Sequence, residues 1–175
     1  MKSKHSQRVL ELCIFSMLGA VMFCSKLVME LLPNIHILGM LIMAYTVAFG
    51  IKALIPIYVF VALTGVYAGF APWWVPYLYI WSILSLVTLL IPRNIPRRIA
   101  AIVYPIVCAL HGLAYGVLYA PAQALLYGFN FEQTVAWIIA GFPFDVIHGI
   151  SNFVAGMLVY PLSALLKMLM TRAGK

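Results

Sequence analysis

The stretch Ile37–Gly69, ILGMLIMAYTVAFGIKALIPIYVFVALTGVYAG, carries a single charge, Lys52. A helix needs about 17–25 mostly apolar residues to cross the hydrocarbon of a bilayer. We read two crossings here. A short one covers about Ile37–Ile51 and the next covers about Ala53–Gly69, with Lys52 alone marking the turn between them.

The same pattern extends outward in both directions. Further apolar spans run over about Val9–Leu32, Val75–Ile91 and Ile99–Ala120, and a last one starts near Gln133 and continues past Leu165, with a kink expected at Pro143. The first span follows a basic Met1–Arg8 segment, as a signal peptide would. Its apolar run is too long for one and lacks a small-residue cleavage site, so we read it as a retained span. The 175 residues are 65% hydrophobic and 9% charged, with mean hydropathy +1.06. Soluble domains average near 25% charged residues. The composition therefore calls for a bilayer as solvent and leaves no polar block for a second domain.

The net charge of +7 suggests nucleic acid until the charges are placed. Lys2, Lys4 and Arg8 precede the first span, and Lys52 lies between the second and third. Arg93, Arg97 and Arg98 lie between the fourth and fifth, and Lys167, Arg172 and Lys175 follow the sixth. Ten of the eleven Lys and Arg thus fall on one side of a six-span model, which makes that side cytoplasmic. The expectation is an all-α membrane protein: one compact bundle of six transmembrane helices over residues 1–175, with both termini cytoplasmic and no nucleic-acid partner. The outer loops carry Asn34, His36, Trp73 and Trp74, and no Lys or Arg. Tryptophans at such positions commonly anchor a span at the interface.

Polar side chains within spans are costly in lipid and mark function or helix contact. Asp145, His148 and Asn152 stand at i, i+3 and i+7 and share a face of the sixth span. Their two readings are structural glue and ligand contact. His111, Tyr115 and Tyr119 form a second stripe at i, i+4 and i+8, beside the small residues Gly112, Gly116 and Ala120. Tyr77 and Trp81 lie in the outer half of the fourth span. These groups converge on the outer half of the bundle, where aromatic walls with a few polar groups make a small-molecule pocket. The expected pocket residues are Asn34, His36, Tyr77, Trp81, His111, Tyr115, Asp145 and His148. Asp145 is expected to bond to His148 or to the ligand. Lys26 and Glu30, at i and i+4, neutralise each other; failing that, Lys26 is the one intramembrane cation able to meet an anionic ligand.

Other chemistries lack their motifs. There is no GxxxxGK[ST] phosphate loop, no HExxH, no GxSxG and no ladder of spaced arginines. Cys13, Cys24 and Cys108 all lie in apolar spans and form no CxxC pair, so neither a disulfide framework nor a thiolate metal site is indicated. No cofactor or metal is expected.

On these features the chain resembles the substrate-binding S components of energy-coupling factor (ECF) transporters. The resemblance rests on size, six spans with cytoplasmic ends, the small-residue stripe Ser16-Ala20-Cys24, the Pro33-Asn34-Ile35-His36 loop and the stretch from Phe142 to Asn152. It implies a subunit of a prokaryotic plasma membrane that captures a vitamin or related micronutrient from outside. It also implies docking, through the stripe on the first helix, onto a shared module of a transmembrane coupling protein and two ATPases, which hydrolyse the ATP. Only Ala20 of that stripe is alanine here; Ser16 and Cys24 hold the other positions. Two other classes compete: an intramembrane enzyme using Asp145, His148 and His111 as acid–base groups, and a structural accessory subunit whose polar faces only join helices.

Overall fold

The computed structural model describes residues 4–32, 35–92 and 95–173. Eight α-helices follow one another: α1 Lys4–Met29, α2 Leu38–Phe49, α3 Leu54–Ala68, α4 Tyr77–Leu89, α5 Arg97–Leu113, α6 Tyr115–Tyr127, α7 Phe131–Gly156 and α8 Val159–Ala173. Short 3-10 turns at Gly50–Ala53 and Pro72–Trp74 join α2 to α3 and lead into α4. No strand occurs among the described residues.

Five helical stretches are long and apolar enough to cross a membrane: His5–Met29, Leu38–Ala68, Pro72–Leu89, Arg97–Tyr127 and Phe131–Gly156. The second of these is two passes rather than one. Gly50 adopts φ 64°, ψ −139°, a left-handed conformation that glycine reaches without a Cβ clash. The chain reverses there. Side-chain pairings establish the directions. Glu11 pairs with Lys52 at 2.6 Å, and Phe23 packs on Tyr67, so α1 and α3 are parallel. Phe15 meets Phe49, and the Tyr45 hydroxyl donates to Leu18 O at 3.4 Å, so α2 runs against both.

The same reasoning carries through the bundle. The Tyr58 hydroxyl donates to Leu78 O (2.9 Å) and Trp74 Nε1 to Val61 O (2.8 Å), which sets α4 antiparallel to α3. Tyr79 bonds Leu118 O and Tyr119 bonds Trp73 O, so α5–α6 returns alongside α4. Gly112 lies on Gly149 and Gly156 on Pro105, so α7 descends along α5. Among the described residues the chain thus traverses the bundle six times. The start of α1 and the end of α8 emerge at the end of the bundle that holds Lys52 and Arg97.

The outer surface is apolar as well as the core, unlike that of a water-soluble bundle. Met17, Val66, Leu110, Ile139 and Val154 are all exposed on the outside. Apolar residues facing outward all round are compatible with a bilayer as solvent. Thr46, Thr64, Ser85 and Thr88 are buried. Thr46 Oγ1 and Ser85 Oγ bond across α2 and α4 at 2.9 Å, and Thr64 and Thr88 bond back to carbonyls of their own helices at 2.7 Å. Lipid offers no partners, so such groups must be satisfied inside.

The two ends of the last two spans are set by the structure. The last span is not interrupted at Pro143. That residue lies inside α7, and the helix breaks instead after Gly156, at Met157–Leu158. A Cβ on Gly156 would sit 2.7 Å from Pro105 Cα, so the break falls where the two backbones press together. The segment between the fifth span, expected to end near Ala120, and the sixth, expected to start near Gln133, is largely helical. α6 continues through Pro121 to Tyr127 and ends at Gly128 in the left-handed conformation (φ 70°). α7 then starts on a reciprocal cap: Asn130 Oδ1 accepts from Gln133 N, and Asn130 N donates to Gln133 Oε1, both at 2.9 Å.

Candidate functional site

A cavity of about 60 Å³ lies between α1, α2, α4, α5, α6 and α7. α4 supplies Tyr77 and Trp81, α5 His111, α6 Tyr115, and α7 His148 and Asn152. The segment between α1 and α2 brings His36, and α1 brings Lys26. The rings form a continuous arc. Tyr77 meets Trp81 edge-on at 5.3 Å, Trp81 lies 5.9 Å from Tyr115, Tyr115 lies 5.1 Å from His148, and His148 lies 5.5 Å from His36. Phe60 of α3 packs behind Tyr77 and Trp81 and fixes their backs. Such edge and tilted contacts are the favoured aromatic geometries.

Three buried polar atoms of this lining have no hydrogen-bond partner: Trp81 Nε1, His36 Nδ1 and His148 Nδ1. Trp81 is only 6% exposed. A buried donor left unpaired costs about 1–3 kcal/mol. Three such atoms lie around this one cavity, which has room for water or a small polar group between them. The third histidine differs: His111 Nε2–H donates to Ile80 O at 3.2 Å, which ties it to α4. Lys26, whose side chain is 15% exposed, reaches the cavity while paired with the half-exposed Glu30. His36 lies outside the spans. Its burial, and then the Lys26 ammonium, pull its imidazole below the ordinary value of 6.5, with Glu30 opposing.

Of the eight expected pocket residues, six meet at this cavity: His36, Tyr77, Trp81, His111, Tyr115 and His148. Asn34 lies outside the described residues. Asp145 is buried (4% exposed) but does not line the cavity. Its carboxylate accepts the Gly116 N–H at 3.1 Å, so its partner is a backbone amide, and not His148 as expected. A glycine is needed opposite it, because a Cβ on Gly116 would collide with Asp145 Oδ2. Asn152 joins the lining, and Lys26 lines it while paired with Glu30. The signal for Lys26 was its position as the one basic residue away from the charged end. Gly39, Leu38 and Gly112 complete the wall; only Gly112, in the small-residue stripe beside His111, carries a sequence signal.

The tryptophans of the α3–α4 connection are held by protein. Trp74 bonds Val61 O, and Trp73 packs edge-on against Tyr77 while its carbonyl accepts the Tyr119 hydroxyl at 2.5 Å. On α1, Gly19 faces inward, where a Cβ would meet Val59 and Pro56 O. Ser16 and Cys24 are exposed and Ala20 is half-buried, so the small-residue stripe lies on the outside. Ala20 and Cys24 line an apolar groove there with Met17, Val21, Ser25 and Val28. Among the described residues no cluster of three His, Cys, Asp or Glu is placed to hold a metal. No family model matches this chain, and no curated protein or solved structure matches it.

Proposed function

We propose that this chain is the substrate-capturing membrane subunit of an ECF-type importer for a vitamin or related micronutrient, set in a cell membrane with both termini on the cytoplasmic side. The observation that carries the reading is the cavity with three unpartnered buried polar atoms on an aromatic arc. A structural accessory subunit has no use for such atoms, since apolar replacements would join the helices at lower cost. The enzyme reading needs Asp145 working with His148 and His111. The Asp145 carboxylate instead bonds the Gly116 amide and does not line the cavity. The exposed small-residue groove around Ala20 is the surface on which a transmembrane coupling protein with two ATPases would dock, because small residues let helices approach closely.

The test is affinity purification of the chain from its native membrane. A transmembrane protein and two ATPase subunits should co-purify with it. Ala20→Trp, which fills the groove, should abolish both this association and uptake while leaving the cavity's ligand in place. Native mass spectrometry of the parent and the variant reads both. Failure of any ATPase to associate with the parent would sink the importer reading.

A further inference from the structure

We infer that the cavity selects a compact organic anion, a planar ring bearing a carboxylate or an equivalent acceptor group, over neutral and cationic analogues. The inference rests on the reading of this cavity as the substrate site, and names the class of substrate.

The lining holds groups that can only donate and none that can only accept; its Tyr77 and Tyr115 hydroxyls, Asn152 amide and histidines can do either. Trp81 Nε1–H can only donate, and so can the Lys26 ammonium. His36 Nδ1 and His148 Nδ1 are unpartnered and accept either role, according to tautomer. Among the described residues no carboxylate lines the cavity: Asp145 faces Gly116, and Glu30 approaches Lys26 without lining it. A ligand that satisfies this wall must therefore be rich in acceptors at the end near Lys26 and His36. An amine would meet the Lys26 charge and leave Trp81 Nε1–H unpaired. Lys26 has three donors, so its bond to Glu30 leaves two for a ligand.

Size and shape set the rest. The space of about 60 Å³ is less than half of the roughly 150 Å³ cavity known to admit benzene. It therefore encloses a head group and a ring edge, and a large polycyclic ligand does not fit within it. The arc of Tyr77, Trp81 and Tyr115 offers faces and edges to one flat ring.

The test uses benzoate, benzamide and benzylamine, three single-ring probes of the same shape that differ in charge. Each is titrated against the detergent-purified full chain at pH near 7 with saturation-transfer NMR. Benzoate should bind saturably and about tenfold or more tighter than benzamide, and benzylamine should show no saturable binding. Lys26→Met should erase the preference for benzoate over benzamide, and Lys26→Arg should keep it. If Lys26→Met does not fold, the Lys26→Met/Glu30→Gln double variant removes the pair together and should give the same loss. Equal binding of the three probes, preference for benzylamine, no saturable benzoate binding, or a preference that survives removal of Lys26 would each overturn the inference. Charge selection by a chain that recruits no ATPase would overturn the importer reading and leave this one standing. Recruitment without charge selection would do the reverse.

Discussion

Gly112→Ala tests the packing that builds the cavity. A Cβ at this position would lie 2.8 Å from Asn152 Nδ2, 2.8 Å from His148 O and 2.9 Å from Gly149 N, where ordinary contact begins at 3.4 Å. The shortfall is 3.4 − 2.8 = 0.6 Å against the first two and 3.4 − 2.9 = 0.5 Å against the third. Two of the three are backbone atoms of α7, which cannot rotate away, so α5 and α7 must separate. Overpacking of this kind costs about 1–3 kcal/mol. Against it stands up to about 1 kcal/mol gained by replacing a mid-helix glycine with alanine. Gly141→Ala on α7 is the matched control, because nothing lies within 4 Å of a Cβ there. Gly112→Ala should thus be less stable than Gly141→Ala by about 1–3 kcal/mol, roughly fivefold to a hundredfold in the unfolding equilibrium. Reversible unfolding of both variants in detergent measures the difference. His148 and Asn152 line the cavity, so Gly112→Ala should also weaken benzoate binding while Gly141→Ala does not. If Gly112→Ala proves as stable as Gly141→Ala, the close approach of α5 and α7 is wrong.

Three further outcomes follow from the site. Trp81→Phe removes an unpartnered buried donor, so the ligand-free protein should lose no stability through hydrogen bonding. Benzoate affinity should fall by about fivefold to a hundredfold, for a loss of roughly 1–3 kcal/mol, in the same NMR titration. Asp145→Asn keeps an acceptor for the Gly116 amide and should unfold close to the parent, whereas Asp145→Ala strands that amide at a cost of about 1–3 kcal/mol. Benzoate binding should survive Asp145→Asn, and its loss would return Asp145 to the pocket. His36 holds a proton less tightly in the fold than in the unfolded chain. Its contribution to stability is complete above the unfolded value of 6.5 and declines as pH falls through that value toward the lower folded one. Lys26, Glu30 and His148 are the ionisable groups that face it. The melting temperature of the parent should therefore drop more than that of His36→Gln between about pH 7.5 and about pH 5.5; equal drops would refute the assignment.

Much of this architecture is a local property of the chain. Crossing length depends on the thickness of hydrocarbon to be spanned, so runs of apolar residues announce the passes one by one, and Lys52 announces the reversal that Gly50 executes. Residues on one helix face, such as His111 with Tyr115, or Asp145 with His148 and Asn152, are likewise legible from spacing alone. What spacing cannot convey is which faces meet and at what distance. The amide of Gly116 claims Asp145 because two helices approach closely at a glycine, a contact across 29 positions of sequence. Pro143 leaves α7 unbroken, while the break falls where Gly156 presses on Pro105. Lys26 both pairs with Glu30 and lines the cavity because its long side chain spans the distance between the two. Periodicity places a side chain on a face, but only the packing of six passes decides whether that face looks at lipid, at another backbone or into the cavity.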